Sequence, residues 1–218
     1  MAKLKVGILI SGRGSNMAAL INAASAPDYP AEIACVISNK ADAGGLATAA
    51  AAGIPTETIS HRGHPDRESF DRQVSAALEK HGVGLVVLAG FMRIFSSWFP
   101  QHWAGRLINI HPSLLPNFKG LHVQQQAIDA GVRISGCTVH FVIPDLDAGP
   151  IIAQAAVPVL QDDTEETLTA RILRQEHRLY PMVVRWFGEG RVVAGANGGK
   201  VAITGVPPGA TLLFSAEP

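Results

Sequence analysis

The chain has 218 residues, 47% apolar and 17% charged, enough for one well-buried domain plus a tail and too few for a second full domain. Its 18 basic and 18 acidic residues cancel, which removes any global electrostatic case for nucleic acid or an anionic membrane while leaving room for a local anion site. Nowhere do about 18 apolar residues run together, and the N-terminal MAKLKVGILI has no small-residue cleavage site, so a soluble, cytoplasmic protein is expected.

Val6–Ile10 is a continuous apolar run of parallel-strand type, followed by Ser11-Gly12-Arg13-Gly14-Ser15-Asn16 and an Ala/Leu-rich helical stretch from Met17. A strand, Gly loop and helix in this order aim backbone N–H groups at an anion, with Arg13, Ser15 and Asn16 adding donors; phosphate is the natural guest. A purely structural turn has the same signature. Met17 stands where a dinucleotide fingerprint needs its third glycine, and no Lys-Ser/Thr follows as in a P-loop, which disfavours NAD and ATP.

Glu32–Ser38 is a second strand, closing on Ser38-Asn39-Lys40 rather than on a ribose-binding carboxylate. Gly44–Ala52 predicts an Ala-rich helix stopped by Gly53 and Pro55, with a short strand over Pro55–Ile59. Asp66 suits a helix cap ahead of Phe70, Val74, Ala77 and Leu78, and His81-Gly82 ends that helix. These alternations make βαβ units. Gly84–Gly90 is the most apolar strand and so a central one, while Phe91–Phe95 continues beyond it as either a pocket wall or an apolar plug. Ser96–His102 is a short helix whose Trp98, Phe99 and following Trp103 suit the core.

Leu107–His122 carries the chemistry. Asn109 and His111 are two apart in a strand pattern and share a face, and Pro112 and Pro116 end the strand. An amide and an imidazole at the C-terminal end of a strand sit where open α/β sheets place ligands. With a carboxylate from a later loop, they suit a reaction in which negative charge grows on a carbonyl oxygen, hence acyl transfer to an amine or water. No G-x-S-x-G elbow is present, and the spacing of His111, His122, His140 and Asp147 matches no compact zinc motif, so no metal is expected.

Val123–Ala130 is helical; Gly136–Ile143 alternates like a strand with Thr138 and His140 two apart; Asp145-Leu146-Asp147 reads as a turn before the strand Ile151–Val159. Asp163-Thr164-Glu165-Glu166 has capping-box spacing for a helix that buries Leu168 and Ile172, and Tyr180-Pro181 predicts an interruption or kink. Residues 191–218, with a weak hairpin pattern in Val192–Phe214, read as a peripheral tail after a catalytic domain over 1–190. Cys35 and Cys137 lie in strand-like runs and read as buried thiols; His61, His64, His81 and His102 read as solvated or capping residues.

The blocks SGRGSN (11–16), SNKADAGGL (38–46), VVLAGFMRIF (86–95), LINIHPSLLPNFKGLHVQQQA (107–127), SGCTVHFV (135–142), LDAGP (146–150) and QEHRLYP (175–181) together resemble the phosphoribosylglycinamide formyltransferases, folate-dependent enzymes of purine synthesis. The resemblance implies a doubly wound, mostly parallel α/β sheet with a Rossmann-like N-terminal half. It implies that Gly12, Arg13, Gly14, Ser15 and Asn16 grip the phosphate of glycinamide ribonucleotide, with Glu176 reaching the same substrate. Arg67, Met92, Arg93, Ile94, Phe95, Asn109, Ile143, Pro144 and Asp145 would hold 10-formyltetrahydrofolate, the co-substrate, and Asn109, His111 and Asp147 would be catalytic. It further implies small-molecule partners only and a monomer or homodimer. Pro144 and Leu173 depart from residues common in the family, at the folate loop and near the ribonucleotide. Formyltetrahydrofolate deformylases and methionyl-tRNA formyltransferases share the trio but carry an extra domain, for which about 28 residues after the core are too few. A non-catalytic binder of the same fold would be marked by loss of the trio, all of which is present.

Overall fold

The computed structural model describes residues 2–195, 199–205 and 212–214, the last three as backbone only. Its contacts gather into two compact units, Met1–Asn109 and Ile110–Pro218.

In the first unit, strands β1 (Leu4–Ile10), β2 (Ala31–Ser38), β3 (Thr56–Thr58), β4 (Leu85–Leu88) and the start of β5 (Leu107–His111) pair in the order β5-β4-β1-β2-β3, every pairing parallel. Helices α1 (Ser15–Ala24), α2 (Gly44–Ala51), α3 (Arg67–Lys80) and α4 (Trp98–His102) alternate with them. β1 and β4 are central because they are apolar on both faces: Val6, Ile8, Leu9, Ile10, Val86 and Val87 are completely buried. Gly7 in β1 permits close packing, since a Cβ there would lie 2.5 Å from Leu78 of α3. The chain winds from β1 to one side through β2 and β3, then restarts at β4 on the other side and continues to β5. The loops after β1 and β4 therefore open at the reversal of strand order, where α/β sheets hold ligands.

α3 starts where sequence places it: the Asp66 side chain accepts from the Ser69 N–H at 2.8 Å, satisfying one of the helix's orphan donors. Its inner face buries Phe70, Val74, Ala77 and Leu78 together with two polar residues. Asp71 accepts from both the backbone N–H and the hydroxyl of Ser96 at 2.7 Å, and Ser75 accepts from the Trp103 indole N–H at 3.1 Å, so α3 fastens the segment that follows residues 91–95. Phe99 and Trp103 are core; Trp98 is half-buried beneath Arg72, whose guanidinium carbon lies 4.3 Å from the ring centre.

In the second unit, β6 (Ile134–Phe141) and β7 (Ile151–Pro158) are antiparallel, with Thr138 opposite Gln154. Helix α6 (Glu165–Gly188) packs on both strands, and α5 (Val123–Asp129) packs on α6. As the capping-box spacing predicts, α6 starts at its cap Thr164, which pairs with Thr167, while Asp163 is taken by Arg171 in a two-pronged ion pair at 2.6 and 2.9 Å. Two features differ from the sequence reading. Pro181 does not interrupt α6, which runs through it. A proline there costs about 3 kcal/mol, but Leu179, Tyr180, Val183 and Val184 are all fully buried around it, and each such side chain returns about 1.5–3 kcal/mol. Residues after 190 are not merely peripheral: β8 (Val192–Val193) pairs antiparallel with β9 (Ala202–Ile203), as the hairpin pattern suggested, and β10 (Leu212–Phe214) adds a parallel strand to β7. Positions 196–198 and 206–211 of that pattern lie outside the described residues.

Arg171 also donates to the Pro158 carbonyl at 3.0 Å, so the Asp163 pair ties α6 to the end of β7. The Arg171 guanidinium, with the Leu160 N–H and the Thr167 hydroxyl, holds the Asp163 carboxyl down to about 2 against the pull of burial. A carboxyl whose folded value is depressed stabilises the fold above its unfolded value near 4, and that stabilisation fades as pH falls toward about 2. Asp163→Asn is therefore expected to cost about 3 kcal/mol near neutral pH. In urea titrations the gap between variant and native chain should narrow at about pH 3.

Candidate active site

The Gly loop leaves β1 at Ser11, whose N–H donates to the Gly90 carbonyl at 3.0 Å, and enters α1 through Gly14 at φ 71° and ψ 38°. That left-handed conformation favours glycine, and the N-cap residue offers α1 no side-chain hydrogen bond. A cavity of about 300 Å³ opens there, lined by Ser11, Gly12, Arg13, Gly14, Ser15 and Asn16 from one loop and by Ala89, Gly90 and Met92 from the other. The lining contains no carboxylate, and N–H groups, hydroxyls, an amide and one guanidinium are what a phosphate accepts. Met17 is fully buried under the loop.

The second loop is tied to the first. The Ser11 hydroxyl donates to Asn39 Oδ1 and accepts from the Met92 N–H at 2.8 Å. Beyond it the two readings of residues 91–95 turn out to describe alternate side chains. Phe91 and Phe95 stack at 5.3 Å, and Phe95 on Phe99 at 4.2 Å, forming the plug. Met92 and Ile94 point out, 64% and 59% exposed, forming an apolar wall. Arg93 has its Nε buried without a partner, and Arg67 is exposed at the start of α3. His61 is held below its ordinary value first by desolvation and then by the charges of Arg93, Arg62 and Lys40, so positive charge collects beside the wall.

At the end of β5, Asn109 is half-buried and His111 is 5% exposed. His111 Nε2 lies 2.9 Å from the Phe118 carbonyl, which can only accept, so that nitrogen carries a hydrogen. Phe118 makes this contact from a left-handed conformation, φ 53°. The other ring nitrogen, Nδ1, is 3.6 Å from Asp147 Oδ2, too far for a hydrogen bond. Nδ1 is thus the nitrogen available to a ligand. Asp147, at φ 47°, is aimed by the Gly120 N–H, which donates to Oδ2 at 3.1 Å. On its other side His140 Nε2 lies 3.9 Å from Oδ1, while His140 Nδ1 donates to the Phe141 carbonyl at 2.8 Å. Burial depresses the basicity of His140.

Of the remaining candidates, Ile143 is half-buried and Pro144 and Asp145 are exposed in the loop before Asp147. Glu176 is buried on α6, where it adds to the burial that pushes the Cys137 thiol well up. His122 does not join His111: it is exposed and 3.2 Å from Glu165. His81 and His102 stand at helix ends with carboxylate partners, Glu57 at 2.9 Å and Glu79 at 2.7 Å, and His61 and His64 meet Phe70 edge-on. Among the described residues no three His, Cys, Asp or Glu side chains are placed to hold a metal ion, and no helix is long and apolar enough to cross a membrane.

Sequence reasoning missed Ser11 and Asn39, the Phe118 carbonyl, the Gly120 N–H and Gln154. Backbone groups carry no sequence signal. His140 was visible through its spacing from Thr138, and Gln154 only as one polar residue in an apolar strand.

A parallel sheet with a donor-lined turn at its reversal point and, separately, an imidazole beside a carboxylate at the end of β5 are features of an α/β enzyme. The chain belongs to the formyl transferase family, whose model matches residues 4–184. It is 45% identical over 205 residues to phosphoribosylglycinamide formyltransferase of Escherichia coli, covering 94% of this chain and 97% of that one. It is 49% identical over 196 residues to the trifunctional purine biosynthetic protein adenosine-3 of Bos taurus, spanning 90% of this chain but 19% of that protein's length. The crystal structure of phosphoribosylglycinamide formyltransferase from Anaplasma phagocytophilum is similar with a TM-score of 0.89 and 48% identity, over 97% of each chain.

Ser11→Ala removes the hydroxyl that joins the buried Asn39 Oδ1 to the Met92 N–H. It should lower stability by about 1–3 kcal/mol, measured by urea denaturation.

Proposed function

We propose that the chain transfers the formyl group of 10-formyltetrahydrofolate to the amine of glycinamide ribonucleotide, giving formylglycinamide ribonucleotide and tetrahydrofolate in purine synthesis. The observation that carries this reading is the His111–Asp147 pair at 3.6 Å with the second ring nitrogen committed to Phe118, because it leaves Nδ1 as the ring position open to a developing oxyanion. Membership of the formyl transferase family and full-length similarity to a bacterial phosphoribosylglycinamide formyltransferase support the substrates.

The ribonucleotide phosphate binds the Gly12–Asn16 turn, with Arg13 adding charge and Glu176 accepting from a sugar hydroxyl. The folate lies along Met92, Ile94 and Phe95 and the 143–145 loop, its glutamyl carboxylate suited to Arg93 and Arg67. The amine lone pair forms a bond to the formyl carbon, and the carbonyl electron pair moves onto oxygen. Asn109 Nδ2 and His111 Nδ1 donate to that oxygen, and Asp147 balances the imidazolium. As the oxyanion collapses, the bond from carbon to N10 breaks and the proton lost by the amine is passed to N10, with Asp147 assisting.

His111→Ala is expected to leave the circular dichroism spectrum unchanged and to cut formyl transfer at least about a hundredfold. A folded variant with near-native turnover would sink the mechanism. Replacing Ser15 and Asn16 together by Ala should weaken ribonucleotide binding about tenfold or more with folate binding within about twofold, by calorimetry; equal losses for both ligands would contradict the phosphate assignment.

A further inference from the structure

The turn that presents the Phe118 carbonyl to His111 is held by a buried polar cluster on the paired strands β6 and β7. Thr138, fully buried, faces Gln154 across the antiparallel ladder. The Thr138 hydroxyl accepts from the Leu115 N–H at 3.0 Å and donates to the Ser113 carbonyl at 2.7 Å. Gln154 Nε2 donates to the same hydroxyl at 3.0 Å and to the Leu115 carbonyl at 3.0 Å. One donor and two acceptor positions are all a hydroxyl has, and both amide hydrogens are used, so the cluster is saturated. It grips both backbone groups of Leu115, and Ser113 extends the grip by donating from its own hydroxyl to the Asn117 carbonyl at 2.8 Å. Phe118 follows directly, in the left-handed conformation that only a fixed turn maintains.

We infer that Thr138 and Gln154 are positioning residues for the reaction: through the turn 113–118 they hold the Phe118 carbonyl on His111 Nε2, and so assign the proton that leaves Nδ1 facing Asp147. The inference rests on the formyl-transfer reading for its kinetic consequence, but not for its effect on the imidazole. Neither residue touches a reacting atom. Their influence passes through one carbonyl, which is why loss of the hydroxyl or the amide should disturb turnover more than binding.

The test uses Thr138→Val, which keeps the shape and removes the hydroxyl, Gln154→Met, and the conservative Thr138→Ser. Steady-state kinetics with both substrates is combined with ¹⁵N NMR of labelled histidine, which reads the proton on His111 Nε2. Thr138→Val and Gln154→Met should lower kcat about tenfold or more, with KM for each substrate within about twofold, and should erase the Nε2–H signature of His111. Thr138→Ser should restore both to within about threefold of the native chain. Native kcat in either disruptive variant, or a fall in kcat with the His111 signature intact, would overturn the role. So would a serine variant as impaired as the valine one. If Thr138→Val does not fold, the half-buried Gln154→Met decides alone. Native chain inactive toward these substrates, with the His111 signature still responding to the variants, would refute formyl transfer and leave the clamp standing.

Discussion

One hydrogen bond fixes the His111 imidazole on which the proposed reaction depends: the 2.9 Å contact from His111 Nε2 to the Phe118 carbonyl. A carbonyl cannot donate, so the contact decides where the first imidazole proton lies, and the second ring nitrogen then confronts Asp147. The local structure serves this contact. β5 stops at His111 because Pro112 cannot extend the ladder, and the turn that follows is fastened at Leu115 before Phe118 turns back. Asp147 is aimed by the Gly120 N–H, from the same stretch of chain as Phe118, so the turn that supplies one partner of His111 also orients the other.

The first unit solves a separate problem by topology. Two largely apolar strands lie at its centre, and the winding reverses between β1 and β4, which leaves the Gly loop and residues 89–92 beside each other. Neutral overall charge is no obstacle to an anion there, since the lining consists of backbone and side-chain donors with a single guanidinium. The hydroxyl of Ser11 joins the two loops, holding the Gly loop against the segment that carries Met92.

Much of this could be read from residues alone. The apolar runs placed β1, β4 and β5, Asp66 and Thr164 marked helix starts, and the two-residue spacing of Asn109 and His111 put both on one face. Local rules failed where tertiary contacts outweigh them: Pro181 rides inside α6 because Leu179, Tyr180, Val183 and Val184 are fully buried around it. The strand at Leu212–Phe214 was hidden in a Gly/Pro-rich stretch with no periodicity long enough to show its pairing with β7. The contacts that tune the site lay beyond reach for another reason, since Phe118, Gly120 and Phe141 act through backbone groups and any residue type has those.

The central claim is that an amine, not water, receives the formyl group. The direct measurement is release of tetrahydrofolate from 10-formyltetrahydrofolate, followed with and without glycinamide ribonucleotide in the same protein sample. Release that depends on the ribonucleotide and matches it one for one in formylated product is the expected result. Release at the same rate without the amine, with free formate as product, would contradict it.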